Sequence, residues 1–116
     1  KALGLAQEAQ GKDSLPALAK AVELLPEDAE AAYNLGLALA ARGRLAEAEG
    51  AHRWALALQP GSADGQVGLG SVLRRQGRLA EAEACFVAAT ALQPGYAEAH
   101  YALALVRSAQ NRLDLA

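Results

Sequence analysis

The chain has 116 residues and a mass of 12.0 kDa, which is enough for one small domain. It is 53% hydrophobic but only 4% aromatic, so its apolar content lies in small side chains that are poorly suited to lining a deep catalytic cavity. With 11 Lys and Arg against 13 Asp and Glu, the net charge is −2, and the positive excess typical of a nucleic-acid binder is missing.

Cysteine usage and hydropathy exclude further classes. A single cysteine cannot form an intrachain disulfide or a thiolate metal cluster, and no stretch is long and apolar enough to suggest a membrane span or a signal peptide. We therefore expect no cofactor, no nucleic-acid partner and no membrane insertion. A reducing compartment is allowed, so we predict a cytoplasmic protein, and the richness in alanine, arginine and leucine suggests a bacterial gene. The lack of methionine suggests a segment of a longer chain.

An internal repeat is the strongest signal in the sequence. Shifting the chain by 34 residues aligns 29–62 with 63–96, and 17 of the 34 aligned pairs are identical. Self-similarity at this period predicts stacked supersecondary units. We predict one domain, 1–116, made of two whole repeats at 29–62 and 63–96 and two partial repeats at 1–28 and 97–116.

Proline and glycine divide each repeat into two helices. Prolines recur where a second helix should end, and glycines recur where a first helix needs a left-handed residue at its end. The prolines are Pro26, Pro60 and Pro94; the glycines are Gly11, Gly43 and Gly77, with Asn111 in the last copy. The predicted helices are 1–10, 13–25, 29–42, 45–58, 63–76, 79–92 and 97–110, with an eighth beginning after Asn111.

Small residues recur where paired helices should touch. These are Gly36 and Gly70 in the first helices and Ala48, Ala55, Ala82 and Ala89 in the second helices. Larger side chains there would hold the helices apart, so we expect close packing with leucines filling the space between. The expected core leucines are Leu35, Leu39, Leu45 and Leu58 and their equivalents Leu69, Leu73, Leu79 and Leu92.

The repeat resembles the tetratricopeptide repeat, whose pattern includes Leu-Gly, a later alanine, an aromatic and a closing proline. The matching residues are Leu35-Gly36, Ala48 and Pro60 in one copy, and Leu69-Gly70, Ala82, Phe86 and Pro94 in the next. The departures are Ala32, Gln66, Leu39, Leu73 and His52, all at positions where the family pattern has an aromatic residue. The resemblance implies an all-α fold, an α-solenoid of stacked antiparallel helix hairpins that forms a right-handed superhelix.

The same resemblance implies a binding function. Arrays of this family hold peptides or protein segments on a concave surface lined by the first helix of each repeat. The implied peptide-binding residues are Tyr33, Asn34, Leu37, Val67, Ser71, Arg74, Arg75, Tyr101 and Leu105. Glu30, Asp64 and Glu98 should also face inward. The tyrosines could instead pack against a neighbouring repeat. Arg74 and Arg75 could pair with an acidic segment or carboxylate of a ligand, or they could be a solvated helix end.

Two special binding patterns of the family fit this chain poorly. A carboxylate clamp for chaperone tails would find Lys1 and Asn34 at two of its positions but Leu5, Asp64 and Gly68 at the others. An asparagine ladder would contain only Asn34. We therefore expect neither.

The histidine and cysteine side chains that could act in catalysis are better explained by helix packing. His52 aligns with Phe86, so it should fill a position between helices, and Cys85 aligns with Ala51, so it should be a packed small residue. Trp54 should lie on the outer surface. We predict a noncatalytic protein-interaction scaffold that binds a protein or peptide segment in the concave groove. The helix that begins at Ala97 should either pack against more chain in the parent protein or support self-association through uncapped ends. The alternative is a substrate-presenting arm of a larger enzyme, such as a glycosyltransferase or sulfotransferase.

Overall fold

A computed structural model describes residues 15–115 of the chain, with side chains as far as Arg112. Six helices lie in this range, and no strand is found there. They are α1 (15–24), α2 (Ala29–Ala41), α3 (Leu45–Leu58), α4 (Ala63–Arg75), α5 (Leu79–Leu92) and α6 (Ala97–Leu115). None of them is both long enough and apolar enough to span a bilayer. The predicted all-α repeat solenoid is confirmed, whereas the predicted helix 1–10 lies outside the described residues.

Glycine closes the turn inside each hairpin. Gly43 and Gly77 have φ of 77° and 83°, the left-handed region that glycine enters without a steric penalty. In the first hairpin the amide of Gly43 donates to Ala40 O at 2.9 Å and the amide of Arg44 donates to Leu39 O at 2.9 Å. These two hydrogen bonds satisfy carbonyl groups at the end of α2, and the turn leads the chain back into α3. The predicted roles of both glycines are confirmed.

The corresponding turn after α6 does not form, so that prediction was wrong. The repeat pattern predicts that a helix ends at 110 and that an eighth begins after Asn111, but α6 continues to Leu115 without a break. No described residue other than glycine has a positive φ. Because asparagine carries a Cβ, the left-handed conformation costs it more than it costs glycine, and continuing the helix is the cheaper alternative.

Close helix contacts depend on the small residues that the repeat predicts. A Cβ built on Gly36 would lie 2.7 Å from the His52 ring, and one built on Gly70 would lie 2.7 Å from Phe86 Cε1. Ala48 is fully buried against the same hairpin. The rings of the second helices therefore occupy the space that the absent glycine side chains leave on the first helices.

Two apolar clusters form the core. One surrounds Phe86 and Leu73 and includes Val106 from α6, and the other joins Leu39 and Ala48 to Val72 of the next repeat. Of the predicted core leucines, Leu39, Leu69 and Leu73 are buried. Leu92 was predicted wrongly, since it lies at the last residue of α5 and is 46% exposed.

Candidate peptide-binding groove

The first helices of the repeats form one continuous wall. Helix α2 contacts α4, and α4 contacts α6, while α2 also packs against α3 and α4 against α5. Two depressions lie along this wall, with volumes of about 350 Å³ and 110 Å³, and Tyr33 lines both. We call the surface formed by these two depressions the groove. The larger lies between the start of α2 and the start of α4, and the smaller extends along α4 to the start of α6.

Tyr33 marks the centre of the groove. Its ring packs edge-on against His52, with ring centroids 5.4 Å apart and planes inclined by 60°. The side chain is half-buried, and burial, followed by the nearby carboxylates of Asp64 and Glu98, raises the pKa of the Tyr33 hydroxyl above its usual value. The phenol therefore stays neutral and presents a hydrogen-bonding tip beside two negative charges.

Below Tyr33, His52 forms the floor of the smaller depression. The side chain is 0% exposed, and neither Nδ1 nor Nε2 has a hydrogen-bond partner. Burial lowers the pKa of His52 to about 4, so the ring is neutral at pH 7. The prediction that His52 fills a position between helices is confirmed, because Gly36 of α2 and Gly68 of α4 both lie against the ring.

A hydrogen bond between the two ends of one repeat shapes the far end of the groove. The hydroxyl of Tyr96 donates to Asp64 Oδ1 at 2.6 Å, joining the loop before α6 to the first turn of α4. This bond, with burial and nearby acids, raises the pKa of Tyr96. Two phenols and two carboxylates thus lie together at this point.

Six of the nine predicted binding residues line the groove. They are Tyr33, Asn34, Leu37, Val67, Ser71 and Arg75. Val67 is only 5% exposed and belongs to the core cluster, so it supports the groove more than it faces a ligand. Arg75 donates through Nη1 to Ala40 O at 2.9 Å, which ties it to the end of α2.

The other three predicted residues lie outside the two depressions. Tyr101 and Leu105 are 68% and 41% exposed on α6, and Arg74 is exposed near the end of α4. The two α6 residues occupy the same repeat positions as Tyr33 and Leu37. They therefore extend the line of groove residues along the solenoid, and their role in binding stays a prediction.

Several residues that line the groove were not predicted from the sequence. Tyr96, Gln59 and Ser62 come from the loops that precede the first helices, which the helix-face argument did not cover. One signal was available for Tyr96. It aligns with Ser62, and the replacement of a helix-capping serine by an aromatic residue indicates a different use of that position.

Reactive groups in the described residues are poorly placed for chemistry. Cys85 is buried, and burial raises the pKa of its thiol, so the thiolate is disfavoured. His100 is exposed and bonds through Nε2 to Pro94 O at 2.7 Å. Within 15–112 no group of three His, Cys, Asp or Glu side chains is arranged to hold a metal ion.

Sequence comparison identifies the repeat. A family described as tetratricopeptide repeat matches residues 1–63 and 48–86, and one described as TPR repeat matches residues 70–111. The chain belongs to the tetratricopeptide repeat family. No curated protein matches its sequence.

Solved structures share the tetratricopeptide fold. The first TPR of Spaghetti (RPAP3), bound to HSP90 peptide SRMEEVD, superposes with a TM-score of 0.85 at 19% identity, covering 90% of this chain and 83% of that one. MamA gives 0.84 at 24% identity, covering 94% and 64%. An O-GlcNAc transferase of Thermobaculum terrenum gives 0.79 at 31% identity, covering 87% of this chain but only 20% of the transferase.

Proposed function

We propose that this tetratricopeptide repeat chain is a noncatalytic scaffold that binds an extended protein segment in the groove. The observation that carries the proposal is the half-buried Tyr33 between the two depressions. A rigid ring with a polar tip offers a large contact area and loses little side-chain entropy on binding. The larger depression, about 350 Å³, falls within the size range of ligand sites.

Similar folds support this function. The Spaghetti repeat domain was solved with an HSP90 peptide, and the second TPR domain of human RPAP3 was solved with the HSP70 peptide SGPTIEEVD. In the present chain, the accessible polar atoms in the groove belong to amides, hydroxyls, carboxylates and the guanidinium of Arg75, and the buried Cys85 and His52 are not exposed to a substrate. Such a surface is suited to holding a segment, not to changing it.

A matched pair of leucines tests the location of binding. Leu37 is 45% exposed inside the groove, and Leu92 is 46% exposed at the end of α5, away from it. Peptides selected from a random dodecamer library on the native chain should bind the Leu37→Ala variant more weakly, by about tenfold. The Leu92→Ala variant should bind them as the native chain does. Weakening by Leu92→Ala alone would place the ligand elsewhere and contradict the proposal.

The second candidate function is the substrate-presenting arm of a larger enzyme. The likeness to the O-GlcNAc transferase at 31% identity favours it, because that match covers only 20% of the transferase. In this case the groove would hold a protein substrate for a catalytic domain elsewhere in the same polypeptide. Reading the complete gene distinguishes the candidates, since only the second requires a transferase domain in the same reading frame.

A further inference from the structure

The groove carries negative charge that no Lys or Arg side chain of the described residues pairs with. Glu30, Asp64 and Glu98 occupy the same repeat position, the second residue of α2, α4 and α6. All three are exposed, and none takes part in an ion pair within residues 15–112. Each of them lines one of the depressions. The first-helix wall therefore presents a row of carboxylates without an ion-pair partner in this part of the chain.

Helix capping does not require two of these carboxylates. Asp28 Oδ1 caps α2 by accepting from the amides of Glu30 and Ala31, at 3.0 Å and 3.3 Å. Ser62 Oγ caps α4 by accepting from the amide of Gly65 at 2.9 Å. Because other residues satisfy the amides at the helix starts, the carboxylate of Glu30 and the Oδ2 atom of Asp64, whose Oδ1 accepts from Tyr96, are available to a ligand.

The second helices show the opposite arrangement. Every glutamate on α3 and α5 is paired with an arginine: Glu47 with Arg44, Glu49 with Arg53 and Arg78, Glu81 with Arg78, and Glu83 with Arg107. The Arg78 bridge to Glu49 even crosses the repeat boundary, at 2.8 Å. Four arginines thus neutralise the second helices, while the acids of the groove receive none.

The side chains around Asp64 and Glu98 are suited to binding a cation. Tyr33 and Tyr96 place two phenol rings beside Asp64 and Glu98, and Tyr96 already donates its hydroxyl to Asp64. A guanidinium or ammonium gains from a carboxylate and from an aromatic face at the same time. Below them, the fully buried His52 borders the smaller depression with both ring nitrogens unpartnered and adds no positive charge at pH 7.

We propose that the groove selects a protein segment carrying arginine or lysine, with the cation between Asp64 and Glu98 and its stem against Tyr33. This inference rests on the proposed function, because it specifies the ligand of the same groove. Charge complementarity is its basis, and an acidic tail would meet like charge along the whole row. At the far end of α4, Arg75 gives the groove one positive group, which favours a segment with its cation at one end only.

Isosteric variants with matched net charge test the ligand class. In one variant the groove acids change, Glu30→Gln, Asp64→Asn and Glu98→Gln; in the control, Glu47→Gln, Glu81→Gln and Glu83→Gln change the same charge on the second helices. The random dodecamer library is selected on the native chain and on both variants, and circular dichroism checks that each is folded. Peptides selected on the native chain and on the control variant should be enriched in Arg and Lys, and peptides selected on the groove variant should not be.

Binding of one selected peptide completes the test. Replacing its Arg or Lys by Ala should weaken binding to the native chain by about tenfold, with a smaller effect at high salt. The selected peptides could depend on Leu37 for binding and yet carry no excess of Arg and Lys, or carry an excess of Asp and Glu. That result would overturn the proposed preference for cationic segments and leave the proposed function standing. Peptides that bind independently of Leu37 would overturn both.

Discussion

The ring of His52 supports the ring of Tyr33 from below, edge to face at 5.4 Å between centroids. Tyr33 reaches the groove, whereas His52 is 0% exposed and held between Gly36 of its own repeat and Gly68 of the next. The position of the central groove residue therefore depends on the packing of the junction between repeats. Changes at this junction should alter both stability and binding.

Acid should weaken the fold through His52. The pKa of this ring is about 4 in the folded chain against 6.5 for an unperturbed histidine, so the unfolded chain binds the proton first. Above pH 6.5 the contribution of His52 to the free energy of unfolding does not change with pH. As the pH drops towards 4, this free energy falls by about 3 kcal/mol in total. Urea unfolding followed by circular dichroism across this range measures the loss.

The variant His52→Phe isolates that effect, because Phe86 fills the equivalent position in the next repeat. It should remove the loss between pH 6.5 and 4 and, by eliminating two buried unpaired nitrogens, stabilise the chain at neutral pH by about 1–3 kcal/mol. An unchanged pH slope in this variant would show that other groups cause the acid sensitivity.

Gly36→Ala should destabilise the junction. Its Cβ would lie 2.7 Å from two atoms of the His52 ring, and the ring cannot retreat because Gly68 closes its other side. We expect a loss of about 1–3 kcal/mol in the free energy of unfolding. Gly50→Ala is the matched control, since Gly50 lies within α3 with no atom within 4 Å of a new Cβ. It should instead gain about 0.5–1 kcal/mol from helix propensity. Similar losses in both variants would contradict the packing argument.

The repeat made much of the fold predictable. Two aligned copies locate the same turns independently, and the predicted helices 45–58 and 79–92 match α3 and α5 residue for residue. Where a copy departs from the pattern, the second copy gives no guide. Asn111 in place of glycine is such a departure, and the predicted turn there was wrong.

The site was less predictable because its defining contacts join residues that lie far apart in the chain. The bond between Tyr96 and Asp64 spans 32 positions in the chain, and the ion pair between Arg78 and Glu49 spans 29. Helical periodicity shows which residues share a face, but it does not show which acids find an arginine on a neighbouring repeat. The unpaired charge of the groove emerges only from the three-dimensional arrangement.

Phe86→Ala should cost more stability than an adjacent truncation. Phe86 is the largest fully buried side chain and joins α4, α5 and α6 in one core cluster. Removing its ring should lower the free energy of unfolding by about 3–5 kcal/mol. Val87→Ala, at a neighbouring residue that is 41% exposed, should change it by less than about 0.5 kcal/mol. Urea unfolding of both variants measures the difference, and comparable losses would show that Phe86 is not the centre of the core.

The hairpin turn should depend on the left-handed conformation of Gly77. At φ 83° an alanine is strained even though no atom lies within 4 Å of its Cβ, so Gly77→Ala should lose about 1–2 kcal/mol. Gly77→Asn should lose less, because asparagine tolerates this region better than alanine does.

Gly61→Ala is the control, because Gly61 is equally open but has no positive φ. Since alanine reduces the freedom of the unfolded chain, this variant should have an unchanged free energy of unfolding or gain up to about 1 kcal/mol. Thermal and urea unfolding give the order of the three variants. If Gly61→Ala lost as much as Gly77→Ala, backbone conformation would not be what fixes the turn, and the explanation for the unbroken helix at Asn111 would fail with it.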